Sequence, residues 1–271
     1  MATSDISIGS PPGLVSILIP CCGMMEYTKL CVPSILQWTR PPYELIFLDI
    51  GSLDGTADYL AGLRDGLRHR MRVEICRADT DLEIKHVVRE AIEKAAGEYL
   101  CLLNNDTVVT PEWLNALTGL AQYENKFGLV GPMSNYASPP QLVETVPYRV
   151  GPKRGAAPSD RLVDVDAVVR FSREFNAQNK GKWIALEQIQ DGRLGGFCLL
   201  IRRQVLNEIR AALDEHSDLS LFDTDILSSK ARQVGFGLGL CRDMFIHHFG
   251  TRTFAHGAPA AATEQRNGQQ H

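Results

Sequence analysis

At 271 residues, 44% hydrophobic and 22% charged, the chain has the balance of a globular protein with one sizeable core. Its formal net charge of −4 offers no general attraction to nucleic acid or to an anionic membrane surface, so neither is expected as a partner. Seven cysteines, odd in number and without a CxxC pair, fit buried thiols in a reducing compartment better than a disulfide framework or a zinc site. No apolar run reaches the roughly 20 residues of a membrane span. The N-terminus lacks a basic start followed by an apolar stretch, and a cytoplasmic protein is expected.

In chain order, residues 1–13 read as a flexible lead rich in Ser, Gly and Pro. "LVSILIP" (14–20) is a nearly continuous apolar run stopped by proline, which predicts a strand buried on both faces. A helix is expected around Tyr27–Trp38 and a second strand at "YELIFLD" (43–49). A Gly-Ser and Asp-Gly turn then precedes a helix starting near Asp54 or Thr56. The basic cluster Arg68–Arg72 reads as a solvated helix end, and "RVEIC" (72–76) as a third strand. Apolar residues from Leu82 to Ala96 recur at helical spacing, with Gly97 as the expected C-cap. "EYLCLLN" (98–104) is the fourth strand, and Thr110-Pro111-Glu112 has the character of a helix start. Strands alternating with helices predict an α/β fold with a mostly parallel central sheet covered on both faces. Residues 131–160 read as loops over a site, 162–177 as a helix, and 195–203 as a strand. Helical pieces follow at 204–213 and 223–234, a last strand lies near 237–247, and a mobile tail is expected beyond residue 254.

In an open parallel sheet, ligands bind beyond the carboxyl ends of the strands. Those ends carry Pro20, then Asp49, then Asn104-Asn105-Asp106. After the first strand stands "CCGMM" in place of GxGxxG, which excludes a dinucleotide fingerprint, and a Walker loop is also missing. A site that meets a nucleotide with carboxylates needs a bridging cation. Hard oxygen donors suit Mg or Mn, and an imidazole from the His247-His248 pair would favour Mn. Those two histidines alternate in a strand, so at most one faces a shared site. Read alone, the same residues also suit turns at Asp49 and at Asn104–Asp106, and a helix start at Asp223.

Six segments taken together carry a resemblance: "VSILIP", "YELIFLDIGSLDGT", "GEYLCLLNNDTVVTPEWL", "GFCLLIRRQVL", "FDTDILSSKARQVGF" and "HHFGTRTF". In this order and spacing the chain resembles glycosyltransferase family 2, inverting nucleotide-sugar transferases of the GT-A (Rossmann-like) fold. The resemblance covers residues 14–254, which it implies are one domain with a nucleotide-binding half (14–130) and an acceptor-side half (131–254). It implies metal-assisted transfer of a hexosyl or related group from a nucleotide-sugar donor, UDP favoured, to an acceptor hydroxyl with inversion. The acceptor stays open among glycan, lipid-linked sugar, small molecule and protein. Carried over residue by residue, Pro20, Asp49, Asn104, Asn105, Gly196 and Phe197 would bind the donor. Asp106 with His247 or His248 would hold a divalent cation, Mn favoured over Mg, and Asp223 would be the catalytic base. The chain departs from the family pattern at Asn104 and Asn105, where Asp is common, and at Phe222, where Glu usually precedes the base. Those departures support one alternative, a catalytically impaired nucleotide-sugar-binding module of the same fold; a second is a nucleotidyltransferase, since related sheets bind nucleotides with metals.

Overall fold

The structure is a computed structural model that describes residues 13–79, 84–150, 163–188, 192–215 and 223–250. The expected lead up to residue 12, the tail, the N-terminal turn of the 82–96 helix, part of the 131–160 region and Phe222 lie outside the described residues.

Strands β1 (Val15–Cys21), β2 (Tyr43–Ile50), β3 (Val73–Ala78) and β4 (Tyr99–Leu103) form a parallel block in the order β3-β2-β1-β4. Beyond β4 the sheet continues through β8 (Cys198–Arg202), β6 (Phe127–Ser134), β9 (Gly237–His248) and β5 (Thr107–Val108), with β7 (Trp183–Ala185) also on β9. β8 runs against both β4 and β6, while β9 is parallel to β6. Six strands therefore share one direction (β1–β4, β6 and β9), and the sheet is mixed but mostly parallel, as the alternation of elements predicted.

Both faces are covered because the middles of the central strands, Ile17–Ile19 in β1 and Leu45–Leu48 in β2, are apolar at consecutive rather than alternate positions. Ile17, Ile19, Leu45 and Phe47 pack against α1 (Met25–Trp38), α2 (Thr56–Leu67) and α4 (Trp113–Tyr123). The intervening Leu18, Ile46 and Leu48 join the opposite layer with α3 (Ile84–Lys94), α6 (Arg203–Glu215) and α7 (Thr224–Gln233). α5 (Val165–Asn179), capped by Asp164 through the Ala167 amide at 3.2 Å, covers the far end of β9.

Three local expectations are corrected. Gly97 is not a helix C-cap: α3 ends at Lys94, and Gly97 lies where a Cβ would stand 2.6 Å from the Ser16 nitrogen of β1. Thr110 does not cap α4, because its hydroxyl donates to the Phe245 carbonyl at 2.6 Å. The stretch from 131 is not loop at its start: β6 runs to Ser134 as an interior strand. Its Gly128 and Gly131 are needed because a Cβ would press on Val205 at 2.5 Å and on Gln141 at 2.8 Å.

Below the sheet, Glu44 is 2% exposed and gathers the Ser16 hydroxyl, the Ala96 amide and the Arg72 guanidinium, each at 2.6 Å. It ties β1, β2, β3 and the exit from α3 at the end away from the carboxyl edge. Glu44→Ala should cost about 2–3 kcal/mol in a urea unfolding titration, because it strands buried donors. No change in the midpoint would contradict this.

Candidate functional site

The chain leaves β1 for β2 and β3 on one side and returns to β4 on the other, so the strand order reverses between β1 and β4. The crevice at such a reversal, beyond the carboxyl ends, is where open α/β sheets bind ligands. Here it is bounded by the β1–α1 loop (22–24), the β2–α2 loop (51–55) and Asn104–Asp106.

These loops are stitched together. Asp49, fully buried, accepts from the Ser52 amide at 3.2 Å and from Arg77 at 2.7 Å. Arg77 also reaches Asp79 at 2.7 Å. The Ser52 hydroxyl accepts from the Gly23 amide at 2.8 Å, and the Gly23 carbonyl accepts from the Asn105 side chain at 3.3 Å. Hydrogen bonds thus run from Asp49 at the end of β2, through the β1–α1 loop, to the end of β4. Pro20 lies inside β1 rather than ending it, opposite Leu48, and Cys21 pairs with Asp49. Asp54 caps the start of α2 and the β1–α1 turn together. Burial alone would raise its carboxyl, but bonds from the Thr56 hydroxyl and from the Met25 and Thr56 amides hold it below the usual value.

Asp106, fully buried, sits just before β5, where Thr107 pairs with His248 and Val108 with His247. The two histidines point to opposite sides, as strand alternation requires. His248 brings Nε2 to 3.3 Å from Asp106 Oδ1, without hydrogen-bond geometry. Its Nδ1 stands 2.8 Å from the Tyr136 carbonyl, which can only accept, so Nδ1 carries a proton and Nε2 is the ring nitrogen left facing the carboxylate. Asn135 fixes the backbone of His248 from both sides, accepting from its N–H at 3.0 Å and donating to its carbonyl at 2.9 Å. Phe197 stacks on the imidazole, centroids 5.2 Å apart and 16° from parallel, and Tyr136 meets it edge-on at 5.5 Å.

His247 turns away toward Tyr148, whose hydroxyl is 3.0 Å from its Nδ1, and Phe249, at a ring distance of 4.5 Å. Burial first, then the neighbouring His248, push its pKa down to about 3, so this imidazole is neutral. Of the two histidines only His248 reaches Asp106. Neither Asn135 nor Tyr136 had a local sequence signal, because each acts on a residue more than a hundred positions away.

Asn104 donates its backbone N–H to the Phe197 carbonyl at 2.9 Å, joining the end of β4 to the segment that carries Gly196. Asn105 is turned inward, its amide donating to the Thr28 hydroxyl at 2.9 Å as well as to Gly23. Asp223 is the N-cap of α7, accepting from the Ile226 amide at 3.0 Å. The same helix start is held by an Arg193–Asp225 pair at 2.7 Å, beside an open recess of about 440 Å³ lined by Arg193, Ser228 and Arg232.

The seven thiols are free, and all but Cys22 are buried. Burial raises Cys31 to about 12 and Cys76 to about 11, so neither is a nucleophile at neutral pH. Among the described residues no group of three or more His, Cys, Asp or Glu side chains could hold a metal ion, and no helix is long and apolar enough to cross a membrane. Asp106 and His248 nevertheless fit a divalent cation: a buried nitrogen with no hydrogen bond faces a carboxylate oxygen, and its other ring nitrogen is spent on a carbonyl, as in histidines that ligate metals.

A model of the family described as Glycosyl transferase family 2 matches residues 16–152. A Sinorhizobium fredii protein, "Uncharacterized protein y4gI", is 26% identical over 231 residues, covering 84% of this chain and 23% of that protein. Among solved structures, the mannosyltransferase PcManGT from Pyrobaculum calidifontis, in complex with GDP-Man and Mn2+, aligns with a TM-score of 0.55 at 16% identity. That alignment covers 89% of this chain and 59% of the other. S. aureus TarS 1-349 in complex with UDP-GlcNAc aligns at 0.56 and 14% identity, covering 86% and 57%. The chain thus spans less than two thirds of each of these proteins, and at such identities the structural likeness establishes the GT-A fold alone. With the family match covering half the sequence, from β1 past the end of β4, the chain belongs to glycosyltransferase family 2.

Proposed function

We propose that the chain transfers a glycosyl group from a nucleotide-sugar donor, a UDP-sugar in the first instance, to an acceptor hydroxyl with inversion, assisted by a divalent cation. The observation that carries this reading is the imidazole of His248 set 3.3 Å from the Asp106 carboxylate at the strand-order reversal. Asp106 and His248 would hold the cation. Two protein donors suit Mg or Mn, which leave their other positions to diphosphate oxygens and water, and the imidazole tilts the choice to Mn. When bound, the cation supplies Lewis-acid neutralisation of the charge on the departing diphosphate.

The remaining work falls to the chain's own side chains. Pro20 and Asp49 line the base and ribose side, with Asp49 oriented by Arg77 and Ser52. Gly196 and Phe197 flank the donor sugar, and Asn104 holds that segment to the end of β4. Asp223, anchored at the head of α7, takes the proton from the acceptor hydroxyl as it attacks opposite the leaving group. In this reading residues 14–130 bind the nucleotide and residues 131–254 the acceptor.

The test is thermal stability against UDP-glucose, UDP-GlcNAc and GDP-mannose, each with Mn, Mg or chelator. At about 100 times Kd a ligand stabilises by about 2.7 kcal/mol, and at least one of these donors should do so only with metal present. An equal shift in chelator would remove the cation from the account, and no shift with any donor would remove the donor.

A further inference from the structure

The β1–α1 loop contains two consecutive residues in the left-handed region, Gly23 at φ +66° and Met24 at φ 60°. Glycine adopts that conformation freely, but Met24 carries a Cβ and does not, so contacts from outside must hold the loop. Three side chains from neighbouring loops do so. Ser52 accepts from the Gly23 amide at 2.8 Å, Asp54 accepts from the Met25 amide at 2.9 Å, and Asn105 donates to the Gly23 carbonyl at 3.3 Å and to Thr28 at 2.9 Å. Two of the three are acceptors; Asn105 supplies the donor. It is fully buried, as is Thr28. A carboxylate at this position has no N–H and would set a charged oxygen against the Gly23 carbonyl oxygen, away from water.

We propose that Asn105 is a positioning residue whose amide fastens the strained β1–α1 loop over the nucleotide crevice, so that the amide stands there as a required donor and not as a weakened metal ligand. The loop sits at the reversal of strand order, so its position sets the wall against which a nucleotide would rest. The inference rests on the proposed donor site only for its nucleotide readout; the loop readout is independent of it.

The test compares Asn105→Asp and Thr28→Val with wild type in the full chain, with urea unfolding confirming the fold. Hydrogen exchange at the amides of residues 23–25 in ligand-free protein should quicken by about 10-fold in both variants, as expected for losing one buried hydrogen bond. UDP affinity in Mn2+ should fall by about 10-fold for the same reason, and Mn2+ affinity of the UDP complex should not tighten. If Asn105→Asp binds Mn2+ more tightly with loop exchange unchanged, Asn105 is a ligand position and the proposal fails. Unchanged exchange in Thr28→Val overturns it as well, which keeps the test decisive should Asn105→Asp not fold. A wild type that binds no UDP would sink the donor site while leaving the exchange comparison to decide the loop.

Discussion

Asp106→Ala is expected to remove metal-supported donor binding, lowering the Mn2+ affinity of the UDP complex by more than about 100-fold. Loss of a mere outer-shell partner already costs 10–100-fold, and here a donor itself is lost. The side chain is fully buried and faces His248 Nε2, so its removal leaves one imidazole and no anion to hold the cation. The fold should survive, because the backbone carbonyl of Asp106 still accepts from the Phe249 amide at 3.0 Å and β5 keeps its pairing with β9. Asp106→Asn separates charge from shape. An amide oxygen can still coordinate, so this variant should bind Mn2+ more weakly than wild type and more tightly than alanine. Calorimetric titration of Mn2+ into UDP-bound protein reads both; equal affinity in all three proteins would place the cation elsewhere.

Asp223→Asn is expected to lower kcat by about 100-fold or more while donor affinity stays near wild type, the pattern of a lost general base. The substitution is informative because asparagine caps a helix about as well as aspartate. The Ile226 amide therefore keeps its acceptor, α7 keeps its start, and what changes is the ability to take a proton. Steady-state rates with a turned-over donor, alongside donor affinity, distinguish this from a packing defect, which would move both. An unchanged kcat would remove Asp223 from the reaction.

β1, β2 and β4 were legible because each is a largely apolar run with a turn at its end, and burial on both faces leaves no alternation to misread. β3, at the sheet edge with Glu74 and Arg77, was read from its short Val-Glu-Ile-Cys stretch. β6 was not, since Gly128, Gly131 and Pro132 argue against an interior strand. Gly128 answers to Val205, far along the chain, and Gly131 to Gln141 folded back from the loop after β6, and no strand pattern records such an approach. Gly97 and Thr110 misled for the same reason: each looked like a helix terminus, and each is committed to a strand distant in sequence.

At the site, the acidic strand ends and the alternation of His247 with His248 could be read from spacing. Which histidine faces Asp106 could not, because that choice is set by the pairing of β5 with β9 across about 140 residues. Asn105 reads as a donor-binding residue in the sequence, while its bonds to Gly23 and Thr28 follow from how α1 and the β1–α1 loop pack against the end of β4. Asp49 is likewise plain in the sequence, while its commitment to Arg77 follows from the register of β2 on β3.

The most direct measurement is anomalous diffraction from crystals grown with UDP and Mn2+. A manganese peak is expected within ligating distance of both an Asp106 carboxylate oxygen and His248 Nε2, with the diphosphate on its open side. UDP seated in the crevice with manganese bound elsewhere, or with His248 Nε2 turned from the ion, would contradict it.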